Sequence, residues 1–120
     1  RTTLAVAEWY TAGRLAELLA AADGAHTCFV GGTVVQNAAS LESLLSIDGS
    51  ADLTVTEVAS AMAEAVRRQT VTDFSLAVSG ATRVDDSTQS VGIALAGARG
   101  TQTKKISTFG CRLGAKSGYL

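Results

Sequence analysis

Proline is missing from all 120 residues, and the twelve glycines gather at turns rather than in a linker, so nothing divides the chain. With no low-complexity stretch and no internal repeat, residues 1–120 are expected to form a single domain around one core. Apolar residues come in short pieces, none approaching the roughly 20 in a row that a spanning helix needs, so no membrane partner is expected. Glu8, Arg14 and Glu17 interrupt the N-terminal apolar stretch, which argues against a secretory leader and for a cytoplasmic protein. A strong excess of either charge is absent too: ten Lys and Arg stand against eleven Asp and Glu, scattered along the chain. That leaves no basic footprint for nucleic acid, and the doublets Arg67-Arg68 and Lys104-Lys105 read as solvated surface. Cysteine is scarce. Cys28 and Cys111 lie far apart without CxxC spacing, and with His26 they are too few for a zinc site; both are expected to be buried free thiols acting as small hydrophobes. No metal and no cofactor is expected.

What is present is a series of short strands and helices. Thr3 to Ala7 is a brief apolar run bounded by polar residues, the mark of a buried strand. Thr11 is placed to cap a helix whose Leu15, Leu18, Leu19 and Ala22 share one face, ending near Gly24. "HTCFVGGTVV" reads as a second strand, with Gly31-Gly32 marking a bulge or a close backbone approach. A short helix follows with Asn37 as cap and Leu41, Leu44 and Leu45 on one side. Thr54-x-x-Glu57 opens "TVTEVASAMAEAVRR" with a capping box, and Val58, Met62, Ala65 and Val66 form one stripe. "DFSLAVSGA", "VGIALAG" and "TQTKKISTF" are strands that follow one another directly. The fold expected from this order is a three-layer α/β/α domain with a mixed, mostly parallel sheet of about five strands.

In such sheets ligands collect beyond the carboxyl ends of the strands. Three segments are read as strand ends: Glu8 to Gly13, Gly31 with Gly32, and Ser79 to Asp86. Each can equally be a turn that needs glycine and polar caps. A nucleophile requires a Ser, Cys or Thr hydroxyl or thiol at the corner and a base nearby; Trp9 has no nucleophilic atom, and the Tyr10 phenol, with a pKa of about 10, is mostly protonated at neutral pH. His26 has no nucleophile or carboxylate at motif spacing, and Asp85-Asp86 reads more simply as solvated loop than as a metal site. The residues alone describe an α/β domain with a small-anion pocket and no evident catalytic set.

Taken in order and spacing, "AEWYTAGRLA", "CFVGGTVV", "VTEVASAMAEAVRR", "DFSLAVSGA" and "SVGIALAG" resemble the C-terminal domain of the competence/damage-inducible CinA family, over roughly residues 3 to 97. The family includes nicotinamide mononucleotide deamidases, which hydrolyse the carboxamide to the acid and ammonia. Its first motif, Ala-Glu-Ser-Cys-Thr-Gly-Gly, stands here as Ala7-Glu8-Trp9-Tyr10-Thr11-Ala12-Gly13, with Trp9 in place of the serine expected to be the nucleophile. Aligned on Gly31-Gly32, the Tyr-Ser-Asn-x-x-Lys stretch gives Gln36, Asn37, Ala38 and Leu41, so the assisting tyrosine and lysine are gone. The phosphate-facing Thr-Gly-Ile-Ala-Gly-Pro-Gly-Gly loop becomes Ser79 to Asp86, keeping two residues at its start and gaining Arg83 and two carboxylates. The resemblance implies a retained fold with lost amidase chemistry and no catalytic residue. It leaves Glu8, Trp9, Tyr10, Thr11, Gly13, Gly31, Gly32, Ser79 and Gly80 as ligand-binding candidates. Its implied partners are a small nucleotide such as nicotinamide mononucleotide and further copies of the chain in a homo-oligomer. The alternative is a divergent amidohydrolase acting on nicotinamide mononucleotide or a related amide, working through Thr11 or through another group that the sequence does not identify. Trp9 and Tyr10 would either fill or line the space where the family holds its substrate.

Overall fold

The computed structural model describes residues 2–49, 53–80 and 90–107. Strand β1 (Leu4–Trp9) lies at the centre of a five-stranded sheet, between β2 (Phe29–Val35) and β3 (Phe74–Ser79) and parallel to both. Beyond β3 follow β4 (Ser90–Gly97) and β5 (Gly100–Ser107), each antiparallel to its neighbour, giving the order β2-β1-β3-β4-β5. Four strands therefore point one way and β4 the other. The mixed, mostly parallel sheet expected from the sequence is the one observed.

Helices α1 (Arg14–Ala20) and α2 (Ala25–Cys28) connect β1 to β2, while α3 (Ala38–Leu45) and α4 (Val55–Thr70) connect β2 to β3. The two connections lie on opposite faces. Ala5 and Ala7 join the core formed with α4, whereas Glu8, one residue on and so pointing the other way, bonds to the start of α1. Ala5, Val6, Ala7 and Glu8 are all fully buried, which is why this segment reads as an unbroken run rather than an alternation.

Small residues set the helix-to-sheet distance. α4 presents Ala59, Ala63 and Ala65 beside Val58, Met62 and Val66, and the strands answer with Ala7, Ala77, Ala94 and Ala96. A side chain on Gly92 would come within 2.2 Å of the Val55 carbonyl, so the backbone of β4 touches the first turn of α4. Ser75 Oγ donates to the Ala63 carbonyl at 2.5 Å, satisfying a polar group buried between β3 and the helix. The capping box is formed as read: Glu57 N–H donates to Thr54 Oγ1 and Thr54 N–H to Glu57 Oε1. Asn37 likewise caps α3 by accepting from Ser40 N–H.

Several expectations need correcting. β1 runs on through Glu8 and Trp9 instead of ending at Ala7, because Val34 and Val35 offer it partners to that point. Gly31 and Gly32 do not end a strand; β2 continues through Thr33, Val34 and Val35. They do mark the predicted irregularity: the register with β1 slips at Val30, and a side chain on Gly32 would meet the Val6 carbonyl at 2.5 Å. His26, Thr27 and Cys28 form a helical turn after Gly24, whose left-handed conformation opens it, so Cys28 is exposed rather than buried. Cys111 lies outside the described residues. α1 ends at Ala20 and buries none of its residues fully, Leu18 being largely exposed. In β3 the bulky Phe74, Leu76 and Val78 do not face α4; Ser75, Ala77 and Ser79 do. α1 and α2 pack chiefly on β1 and β2, and the face carrying Phe74, Leu95 and Ile106 is partly open.

Candidate functional site

The connections leaving β1 and β2 go to opposite faces, so the topology marks the carboxyl end of β1 as the place where a crevice forms. The corner after Trp9 stands there. Gly80 N–H donates to the Trp9 carbonyl at 3.1 Å, which joins the ends of β1 and β3 and brings Ser79 and Gly80 beside the corner. Tyr10 (φ 114°) and Ala12 (φ 54°) occupy positive-φ backbone, followed by Gly13 (φ 90°) as the residue opening α1. Non-glycine residues there store on the order of 1–3 kcal/mol each, strain that persists only when neighbours over-determine the turn.

Glu8 is that determinant. Its carboxylate has no solvent exposure and accepts from the Thr11 hydroxyl, from Leu15 N–H at 2.9 Å and from Ala16 N–H at 2.7 Å. It thus caps α1 from the neighbouring strand, the task the sequence had assigned to Thr11. Thr11 holds the carboxylate instead, and its own carbonyl accepts from Arg14 N–H at 2.9 Å. The open start of α1, the natural seat for an anion, is already filled from inside the protein. Arg14 and Glu17 at the rim form a pair at 3.8 Å with both side chains mostly exposed, a contact of little energetic weight.

Trp9 and Tyr10 part company. Trp9 shares the face of Ala5 and Ala7 and is partly buried against the core, as are Ile47 and Leu53. Tyr10 is 60% exposed, its ring 3.5 Å from where a side chain on Gly80 would begin. Ser79 is fully buried and its hydroxyl donates to the Gly80 carbonyl at 2.7 Å. The structure therefore gathers Glu8, Trp9, Tyr10, Thr11, Gly13, Ser79 and Gly80. Gly31 and Gly32 pair with Ala5 and Val6, three to four positions back along β1, and are apart from the corner. Gln36 is exposed just past β2, and Leu41 is fully buried in α3. His26 sits in α2 beside the start of β2, at the other end of the sheet. Arg83, Asp85 and Asp86 lie outside the described residues. Among the described residues no group of three or more His, Cys, Asp or Glu could hold a metal, and no helix is long and apolar enough to cross a membrane.

Fold and corner together define a doubly wound α/β domain whose central strand ends in a strained, internally capped turn. The CinA C-terminal domain model matches residues 1–116, and the chain belongs to that family. A CinA-like protein of Gloeobacter violaceus is 42% identical over 127 residues, covering 98% of this chain and 28% of that protein. The chain thus spans less than a third of that curated relative. Among solved structures, the CinA superfamily protein of Escherichia coli superposes with a TM-score of 0.75 at 22% identity, covering 88% of this chain and 66% of that one. The competence/damage-inducible protein CihA of Agrobacterium tumefaciens gives 0.73 at 17% identity, with coverages of 88% and 70%. Likeness at these identities establishes the fold.

Proposed function

We propose that this CinA-like domain binds a small nucleotide at the corner after β1 and does not hydrolyse an amide. One observation carries the reading: the family's nucleophilic serine is replaced by Trp9, whose indole has no nucleophilic atom and whose ring is seated against the core. The supporting residues agree. At the lysine's place stands Leu41, sealed in the core, and at the tyrosine's place an exposed Gln36. Trp9 fills, while the exposed Tyr10 ring offers the flat apolar surface on which a base can stack.

Calorimetric titration with nicotinamide mononucleotide, run beside an ammonia assay, tests this. Saturable heat without ammonia is the expected result. Ammonia released at enzyme-like rates would overturn the loss of chemistry, and a flat trace from folded protein would remove nucleotide binding. Self-assembly into a homo-oligomer is the family expectation that would then remain. It is supported by the partly open apolar face of β3, β4 and β5, and is read by sedimentation velocity.

A second reading has its own observation: the Thr11 hydroxyl donates to the buried Glu8 carboxylate, the pairing of a hydroxyl nucleophile with a base. Against it, the same carboxylate already accepts two backbone N–H groups. If Thr11 were the nucleophile, Thr11→Ala would abolish turnover in a folded protein; turnover that survives this change removes the idea.

A further inference from the structure

We propose that the cleft at the opposite end of the sheet, where the parallel strands begin, binds a planar carboxylate such as an aromatic acid. This cleft has a volume of about 630 Å³ and lies between Arg67 near the end of α4, Phe74 at the start of β3, and the turn joining β4 to β5. That volume suits a small organic ligand. Five residue steps along β3 separate Phe74 from Ser79, about 17 Å, so the cleft is distinct from the Tyr10 corner.

Its floor is apolar. Phe74 is 42% exposed and Leu95 43% exposed, and both lie on the sheet face that α4 does not cover. Continuing the β3–β4 register one step past Ser75 and Ala96 sets Phe74 opposite Gly97. A side chain on Gly97 would come within 2.9 Å of the Phe74 ring, so glycine is what lets the ring lie down across β4. An aromatic covering a strand glycine has a plain structural use. That use explains Phe74 and Gly97 but not the charges around them.

Two guanidinium groups line the same cleft as the ring. Arg67 Nε donates to the Asp73 carbonyl at 3.0 Å, which anchors its guanidinium group; its charge also acts on the nearby Asp73 carboxyl, and its terminal nitrogens make no hydrogen bond among the described residues. Arg99 stands exposed in the β4–β5 turn, also without a partner among the described residues. The Asp73 carboxylate in the same wall is already engaged, accepting Thr3 N–H at 2.8 Å and the Thr3 hydroxyl at 3.1 Å. Two cations against one engaged carboxylate favour an anion. An anchored guanidinium group and an open aromatic ring in one cleft match a carboxylate carried on a flat ring. Gln102 adds an amide at the rim.

The test is a titration with benzoate followed through amide chemical shifts, with benzamide and acetate separating ring from charge. The Gly97 and Gly100 amides should move saturably with benzoate, and benzamide and acetate should each bind about tenfold more weakly, as loss of a charge-assisted contact implies. Arg99→Gln, a change in an exposed turn, should weaken benzoate about fivefold in a protein whose spectrum is otherwise unchanged. The proposal is overturned by any of three results: no saturation, equal binding of benzamide, or shifts centred on Tyr10 and Gly80. None of these bears on the nucleotide titration, so the two readings fail separately.

Discussion

A carboxylate sealed from water is costly unless its oxygens are used, and Glu8 uses both. Three donors converge on it, so one side chain caps α1, orients Thr11 and holds the positive-φ turn carrying Tyr10. Glu8→Gln keeps the volume but turns one acceptor into a donor facing N–H or O–H groups. It is expected to lower unfolding free energy by about 2–3 kcal/mol, measured as a shift in the urea midpoint. An effect below half a kilocalorie would mean that solvent, not Glu8, satisfies those donors. Trp9, one residue on, should behave as core. Trp9→Ser removes a packed ring and should cost about 2–3 kcal/mol, because the ring is only partly buried. Stability equal to that of the parent would say that the ring lines open space.

At the level of elements, α4 is the piece on which the rest is assembled, since it touches every strand of the sheet. Its N-terminus is capped twice over by Thr54 and Glu57, but its end is less well made. Val71 closes it in left-handed conformation (φ 53°) and is 86% exposed, so a β-branched residue bears the strain with no packing in return. Val71→Gly should therefore stabilise by about 1 kcal/mol, visible as a higher thermal midpoint. The start of α4 has no such slack. Gly92→Ala places a methyl on the Val55 backbone and should destabilise by about 1–3 kcal/mol; an unchanged midpoint would show that helix and sheet are less closely seated than they stand here.

Across the whole molecule, the two ends of the sheet are built differently. At the carboxyl ends the chain buries a carboxylate and strains its backbone; at the amino ends it ties Thr3 to Asp73 across 70 residues. Hydrogen bonds from the Thr3 backbone and side chain, with the nearby Arg67 charge, hold the Asp73 carboxyl below its ordinary value of 3.8. A carboxyl with a lowered folded value favours folding above its ordinary value, and that contribution fades as pH falls through the folded one. Stability should thus decline as pH falls below about 4, and Asp73→Asn should flatten the decline measured by urea unfolding. An identical pH profile in the variant would remove the clasp from the account.

The strands, α3 and α4 were legible because each is specified locally: Asn37 and the Thr54–Glu57 box announce helix starts, and β-branched runs announce strands. The family likeness also lay open in the order of these segments. Local pattern said nothing dependable about direction. Phe74, Leu76 and Val78 alternate as a buried face would, yet the small residues between them meet α4, because a helix settles closest on the side that offers least bulk. The cap of α1 was equally hidden, since Glu8 reaches it from another element and no spacing rule spans strand and helix. Whether Trp9 fills or lines the corner is of the same kind. Composition requires only that a large ring be placed somewhere; which face of β1 packs on α4 determines that it goes inward, leaving Tyr10 outside.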